Sequence, residues 1–179
     1  MQPRLTRIIL SLLMTLAILI ALEIASSALL PAFGWRESRL AFNVVIILFM
    51  AFKISTPLLP WFVMILQLIH AGFSVEGWAL GTLVGIFVSL IASYLKEILQ
   101  FSTATMTIIT VQIFQVIWYL VTLTIISLKL GHFNNFGMMF WNVLPGTFLL
   151  SLVSPILFNL LNRVWPVEMQ VSRATGMEL

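Results

Sequence analysis

Thr105–Leu128, TMTIITVQIFQVIWYLVTLTIISL, contains no charged residue. A helix that crosses a bilayer needs about 20 mostly apolar residues, and this stretch exceeds that length before Lys129 closes it. The same reading extends outward in both directions. Charges, prolines and glycines cut the rest of the chain into five more apolar runs: about Ile8–Leu30, Leu40–Phe52, Leu58–Ile69, Trp78–Leu95 and Met139–Leu161. Of all 179 residues, 61% are hydrophobic and 8% charged, where a soluble domain carries roughly 45–50% and about 25%. Mean hydropathy is +1.11. Charge this sparse cannot cover a water-soluble globule, so the reading is an integral membrane protein. Soluble enzymes, nucleic-acid binders and secreted disulfide scaffolds are excluded.

The expected architecture is an all-α bundle of about six transmembrane helices, forming one domain over residues 1–179. Runs two and three are short enough to be a re-entrant or interfacial hairpin. Two short spans are the preferred reading, with Pro57 and Pro60 stiffening the turn between them. Orientation follows the excess of Lys and Arg in cytoplasmic segments. With the N-terminus inside, Arg4, Arg7, Lys53, Lys96, Arg163 and Arg173 are cytoplasmic, and Arg36, Arg39 and Lys129 are outside. Both termini are therefore expected in the cytoplasm, and the net charge of +3 reports topology rather than a nucleic-acid partner. Trp35, Trp78 and Trp141 on one side, and Trp61 and Trp165 on the other, fall near span ends, where an amphipathic ring settles among headgroups. Trp118 lies mid-span. The first run follows Arg4 and Arg7 and reaches Ala25-Ser26-Ser27-Ala28. It is longer than the roughly 7–15 apolar residues of a secretory signal, which favours an uncleaved first helix.

Chemistry-bearing residues are few. Cysteine and aspartate are both absent, which removes disulfides, thiol nucleophiles and most carboxylate metal sites. Glu23 is the one intramembrane acid, and such groups are functional suspects by default. It stands fifteen residues beyond Ile8, so its expected place is near the outer interface, hydrated, with a ligand or proton role as the alternative. Glu37, Glu76 and Glu97 read as solvated loop charges. His70 and His132 read as loop or interfacial residues, a weak constellation for metal without Cys or Asp. No catalytic, cofactor-binding or metal-binding set is recognisable, and no enzyme activity is expected.

The helical faces say more. Gly77, Gly81 and Gly85 recur at four-residue steps, and Ser89 and Ser93 extend the row through run four. Small residues on one face let another helix backbone approach closely, inside the bundle or on a partner. In run five, Gln112, Gln115, Tyr119 and Thr122 share a stripe. In run six, Ser151, Pro155, Asn159 and Asn162 do the same, with Ser154 at the edge. Amides and hydroxyls in hydrocarbon need partners, so both faces are expected to point at protein or at a pocket. Pro145 and Pro155 interrupt the backbone donors of run six.

Certain segments have a familiar order. The two short runs are followed by Leu68-Ile69-His70-Ala71-Gly72-Phe73 and then Gly77-Trp78-Ala79-Leu80-Gly81. Run six reads Leu144-Pro145-Gly146-Thr147, then Ser154-Pro155-Ile156-Leu157-Phe158, and closes on Asn159-Leu160-Leu161-Asn162-Arg163. Together these resemble the rod-shape-determining protein MreD family, six-span inner-membrane proteins of bacterial cell-wall elongation. Where family members often carry an acidic residue four positions before the first Gly of the turn, this chain has Phe73. The resemblance implies a bundle like that of the substrate-binding components of vitamin transporters. It also implies a non-enzymatic scaffold in the bacterial cytoplasmic (inner) membrane, with MreC as direct partner and MreB and the peptidoglycan synthases in the same assembly. A partner helix would then dock on a small-residue face such as Gly81, Gly85 and Ser89. The alternative function is a small-molecule-binding membrane component of a vitamin-type transporter, its pocket lined by Gln112, Gln115, Tyr119 and Asn159.

Overall fold

Among the described residues, the six apolar runs become six helices. A computed structural model describes residues 3–32, 40–53, 58–74, 77–96, 103–131 and 136–165. In chain order the helices are α1 (Pro3–Ala32), α2 (Phe42–Lys53), α3 (Leu59–His70), α4 (Trp78–Leu95), α5 (Ala104–Leu130) and α6 (Phe136–Val164), and no strand occurs among the described residues. Of these, α1, α4, α5 and α6 are long and apolar enough to cross a membrane. The protein is a membrane-embedded helical bundle. Local chemistry marks the boundaries. Thr103 caps α5, its hydroxyl accepting from the Met106 N–H at 3.3 Å. Gly77 precedes α4 at φ 76°, a left-handed conformation that a residue with a Cβ enters at a cost. Pro57, Trp35 and His132 lie outside the described residues.

Runs two and three give the short helices expected of them. Each gives a helix of 12 residues, about 18 Å at 1.5 Å per residue, short of the roughly 30 Å of hydrocarbon. Every residue from Leu40 to Phe52 is buried, and α2 contacts each of the other five helices. A helix apolar all round belongs in an interior. Here that interior is protein, so α2 is the core of the bundle and its length need not match the bilayer.

The small-residue row of α4 makes that enclosure possible. A Cβ on Gly85 would stand 2.7 Å from Val63 Cγ1, 3.4 Å from Ile47 Cδ1 and 3.5 Å from the Trp118 ring. One turn earlier, a Cβ on Gly81 would stand 2.6 Å from Gln67 Oε1. Ser89 is buried, and Ser93 is half-buried with its hydroxyl 3.5 Å from the Ala51 carbonyl. The face therefore packs on α2, α3 and α5. This corrects the expectation of a partner-docking surface at Gly81, Gly85 and Ser89, because the chain's own helices already cover it. Gly77 stands apart from the row: it is exposed and serves the helix start.

The first and last helices close the ring. Ser11 Oγ donates to the Val164 carbonyl at 2.8 Å, and Trp165 Nε1 donates to Thr15 Oγ1 at 2.9 Å. Trp165 also packs on Phe62, with ring centroids 6.0 Å apart. Its expected headgroup position is thus corrected to a buried clamp between α1, α3 and α6. Trp61, Trp78 and Trp141 are exposed, as rings at span ends should be.

Gly85→Leu should lower the thermal unfolding temperature in detergent sharply. Overpacking costs about 1–3 kcal/mol where neighbours can shift, and here three helices would have to move at once. Tyr94→Leu, at an 81% exposed position of the same helix, should leave the transition unchanged. Equal stability of both variants would put the glycine face outside the bundle.

Candidate functional site: a buried acid–histidine pair and its polar surroundings

Ser11, Thr15, Leu19 and Glu23 recur every four residues on α1, and all four are buried. They form the inward stripe of the helix, and Glu23 is its last member. On α3 the buried positions Leu59, Phe62, Val63, Leu66, Gln67 and His70 form the matching stripe. The two stripes end against each other: His70 Nδ1 lies 2.8 Å from Glu23 Oε1. Glu23 is 6% exposed and His70 8%. The expectation of a hydrated interfacial acid and a loop histidine is corrected on both counts. His70 is the last helical residue of α3, and its ring is turned inward.

A buried carboxylate is costly unless it is paired and hydrogen-bonded. Either proton arrangement, on the ring or on the acid, gives this pair one hydrogen bond joining α1 to α3. The residues can therefore anchor two helices or hold a proton between them. Among the described residues, no group of three or more His, Cys, Asp or Glu is placed to hold a metal ion. His132 lies outside the described residues.

A second polar cluster joins α5 to α6. Gln112 Nε2 donates to Thr147 Oγ1 at 3.0 Å, and Ser151 Oγ donates to Gln112 Oε1. The Thr147 carbonyl, 2.7 Å from Ser151 Oγ, is the competing acceptor for the same hydroxyl proton. The prolines of α6 explain part of this chemistry. Pro155 has no N–H for the carbonyl four residues earlier, which belongs to Ser151. The Ser154 hydroxyl donates to that carbonyl at 2.7 Å instead, as a bilayer interior requires. The helix runs from Phe136 to Val164 with both Pro145 and Pro155 inside it.

The expected polar stripe of α5 faces inward as read: Gln115, Tyr119 and Thr122 are buried and Gln112 is half-buried. The stripe of α6 divides. Ser151 and Ser154 are buried, but Asn159 and Asn162 are exposed. The inward row is Thr147, Leu150, Ser151, Ser154, Leu157, Phe158 and Leu161. Asn159 follows Phe158 by a 100° turn, and Asn162 stands next to Leu161 at the end of the helix. A pocket shared by Gln112, Gln115, Tyr119 and Asn159 is therefore not assembled, since Gln112 is committed to α6 and Asn159 points outward.

Sequence reasoning overlooked Asn43 and Gln67, both fully buried. Neither amide atom of Asn43 or of Gln115 has a hydrogen-bond partner, nor do Gln67 Nε2 and Thr122 Oγ1. The signal available for Asn43 was its place in the first turn of a helix apolar on every side. For Gln67 it was its position one turn before His70 on the stripe that carries Val63. Comparison with protein-family models, with curated proteins and with solved structures finds no match.

The pair generates a stability cycle. His70→Leu or Glu23→Leu alone leaves a buried polar partner without its hydrogen bond and should cost about 1–3 kcal/mol or more. The double variant should recover most of the loss, because replacing both partners of a buried pair is often neutral or stabilising. Additive losses in thermal unfolding would show that the two side chains do not depend on each other.

Proposed function

We propose that the protein is a non-enzymatic scaffold of the bacterial cell-elongation machinery, a divergent relative of the MreD family. It would lie in the cytoplasmic (inner) membrane as a six-span bundle with both termini cytoplasmic. MreC is its direct partner in this reading, with MreB and the peptidoglycan synthases in the same assembly. The observation that carries the reading is the coincidence of resemblance and architecture. Several residues of the segments that resemble the family hold structural positions in the bundle. His70-Ala71-Gly72 closes α3, Gly77 opens α4, Gly81 seats Gln67, and Ser154, Phe158 and Leu161 lie on the inward row of α6.

Topology lends support. The bonds from Ser11 to Val164 and from Trp165 to Thr15 put the start of α1 and the end of α6 at one end of the bundle. That is the arrangement an even number of spans requires. Since the Gly81/Gly85/Ser89 face is occupied internally, MreC would bind an outward face of the long helices. The transporter reading keeps one observation in its favour, the buried unpaired amides of Asn43, Gln67 and Gln115.

Native mass spectrometry of the protein drawn gently from its own membranes separates the two readings. An MreC-type protein should travel with it, and deletion of the gene should turn rod-shaped cells round. A stoichiometric vitamin-like molecule, together with an energising ATPase module, would overturn the scaffold in favour of transport.

A further inference from the structure

Buried polar groups in folded proteins nearly always have a hydrogen-bond partner, and the exceptions need an account. Here the exceptions are Asn43, Gln67, Gln115 and Thr122. The packing contacts show that three of them share one level. Gly85 meets Val63 of α3, Ile47 of α2 and Trp118 of α5, while Gly81 meets Gln67. Phe52 of α2 packs edge-on against Phe114 of α5, with ring centroids 5.9 Å apart. With Ile47 level with Trp118, this makes α2 and α5 antiparallel. One helical turn from the Gly85 level toward the α3–α4 turn therefore reaches Gly81, Gln67, Asn43 and Thr122 together. His70, with Glu23, follows three residues after Gln67.

The unpaired atoms at this level are of both kinds. Asn43 has an amide nitrogen and an amide oxygen, both without partners, so flipping the amide supplies neither. Gln67 adds a donor and Thr122 a hydroxyl. A cation would leave the amide N–H groups unserved, and an anion would leave the Asn43 oxygen unserved. The occupant must donate and accept, and it must be small, because Asn43, Gln67 and Thr122 are almost entirely enclosed. Water meets each condition, and a buried water typically makes about three such bonds.

We propose that this level is an internal hydration site, holding ordered water between Asn43, Gln67 and Thr122. The site extends the polar interior about one helical turn inward from the Glu23–His70 pair. It is independent of the scaffold reading, because it rests only on how α2, α3 and α5 pack around Gly81 and Gly85 of α4.

Hydroxyl-radical footprinting by pulsed X-rays, on the intact protein in nanodiscs, tests the site. Bound water is radiolysed in place and labels its neighbours, whereas side chains remote from water stay unlabelled. Trp118, one turn from Thr122, should be labelled several-fold more than Phe49. Phe49 is equally enclosed but packs on Phe158 of α6. Each yield is normalised to that of the unfolded chain. Thr122→Val, which keeps the shape and removes the hydroxyl, should lower the Trp118 yield without raising the unfolding temperature. This variant also separates the site from any water at Gln115, which lies about two turns before Thr122 on α5. If Thr122→Val does not fold, the wild-type ratio decides. Equal normalised yields at Trp118 and Phe49 would overturn the proposal, as would a Thr122→Val variant of higher stability, the mark of a dry orphan hydroxyl replaced by methyl. A solute seen by native mass spectrometry in the wild type and lost in Thr122→Val would overturn it too, in favour of a small organic ligand.

Discussion

Lipid exerts no hydrophobic force between helices, so a bundle inside a membrane is held by how closely its backbones approach and by hydrogen bonds across them. Gly85 is where that constraint is met most tightly. The absence of one Cβ brings α4 within contact of α2, α3 and α5 at a single level. The enclosure of α2 depends on this contact. A helix of 12 residues cannot satisfy a bilayer by itself, but wrapped by five neighbours it contacts protein on every side. The long helices meet the lipid, and α2 fills the space they leave.

The polar interior follows from the same rule. Once side chains are removed from water, each must find its partner in the bundle. Ser154 supplies the hydrogen bond that Pro155 takes from the Ser151 carbonyl, Gln112 ties α5 to α6, and Thr15 receives the Trp165 indole. Glu23 and His70 answer each other. These contacts connect α1 to α3 and α6, and α5 to α6, so the polar residues act as cross-braces between apolar surfaces. Asn43, Gln67, Gln115 and Thr122 depart from the pattern, and they lie along α2, α3 and α5, on either side of the Gly85 level.

For a scaffold, this division has a consequence. The faces that looked suited to receiving a partner helix, small-residue and polar alike, are largely consumed in building the bundle. What the proposed scaffold would offer to a partner is its outer surface, on which Trp61, Trp141, Ile156 and Tyr94 are exposed. Specificity on such a surface comes from shape and from the few polar groups at helix ends, among them Asn159, Asn162 and Arg163.

The number, order and approximate limits of the helices were legible in the sequence, since hydrocarbon thickness sets a length and charges, prolines and glycines punctuate it. Trp78–Leu95 was read with the limits it has. The inward turn of Gln115, Tyr119 and Thr122 was legible too, because helical spacing gathers them on one side. The place of Glu23 was not. Counting from Ile8 gives depth in the bilayer but not direction around the helix axis, and the four-residue echo of Ser11, Thr15 and Leu19 was the signal that gave direction. Asn159 and Asn162 failed for the converse reason: a shared stripe does not say which side of it is covered. By itself, then, the sequence determined a helical membrane protein, its runs and its small-residue row, since these depend on local composition and period. Only the tertiary structure decided that α2 is the core, that the Gly85 face is internal and that Glu23 meets His70. Those outcomes depend on which helices become neighbours, and in lipid that choice rests on close packing between residues distant along the chain.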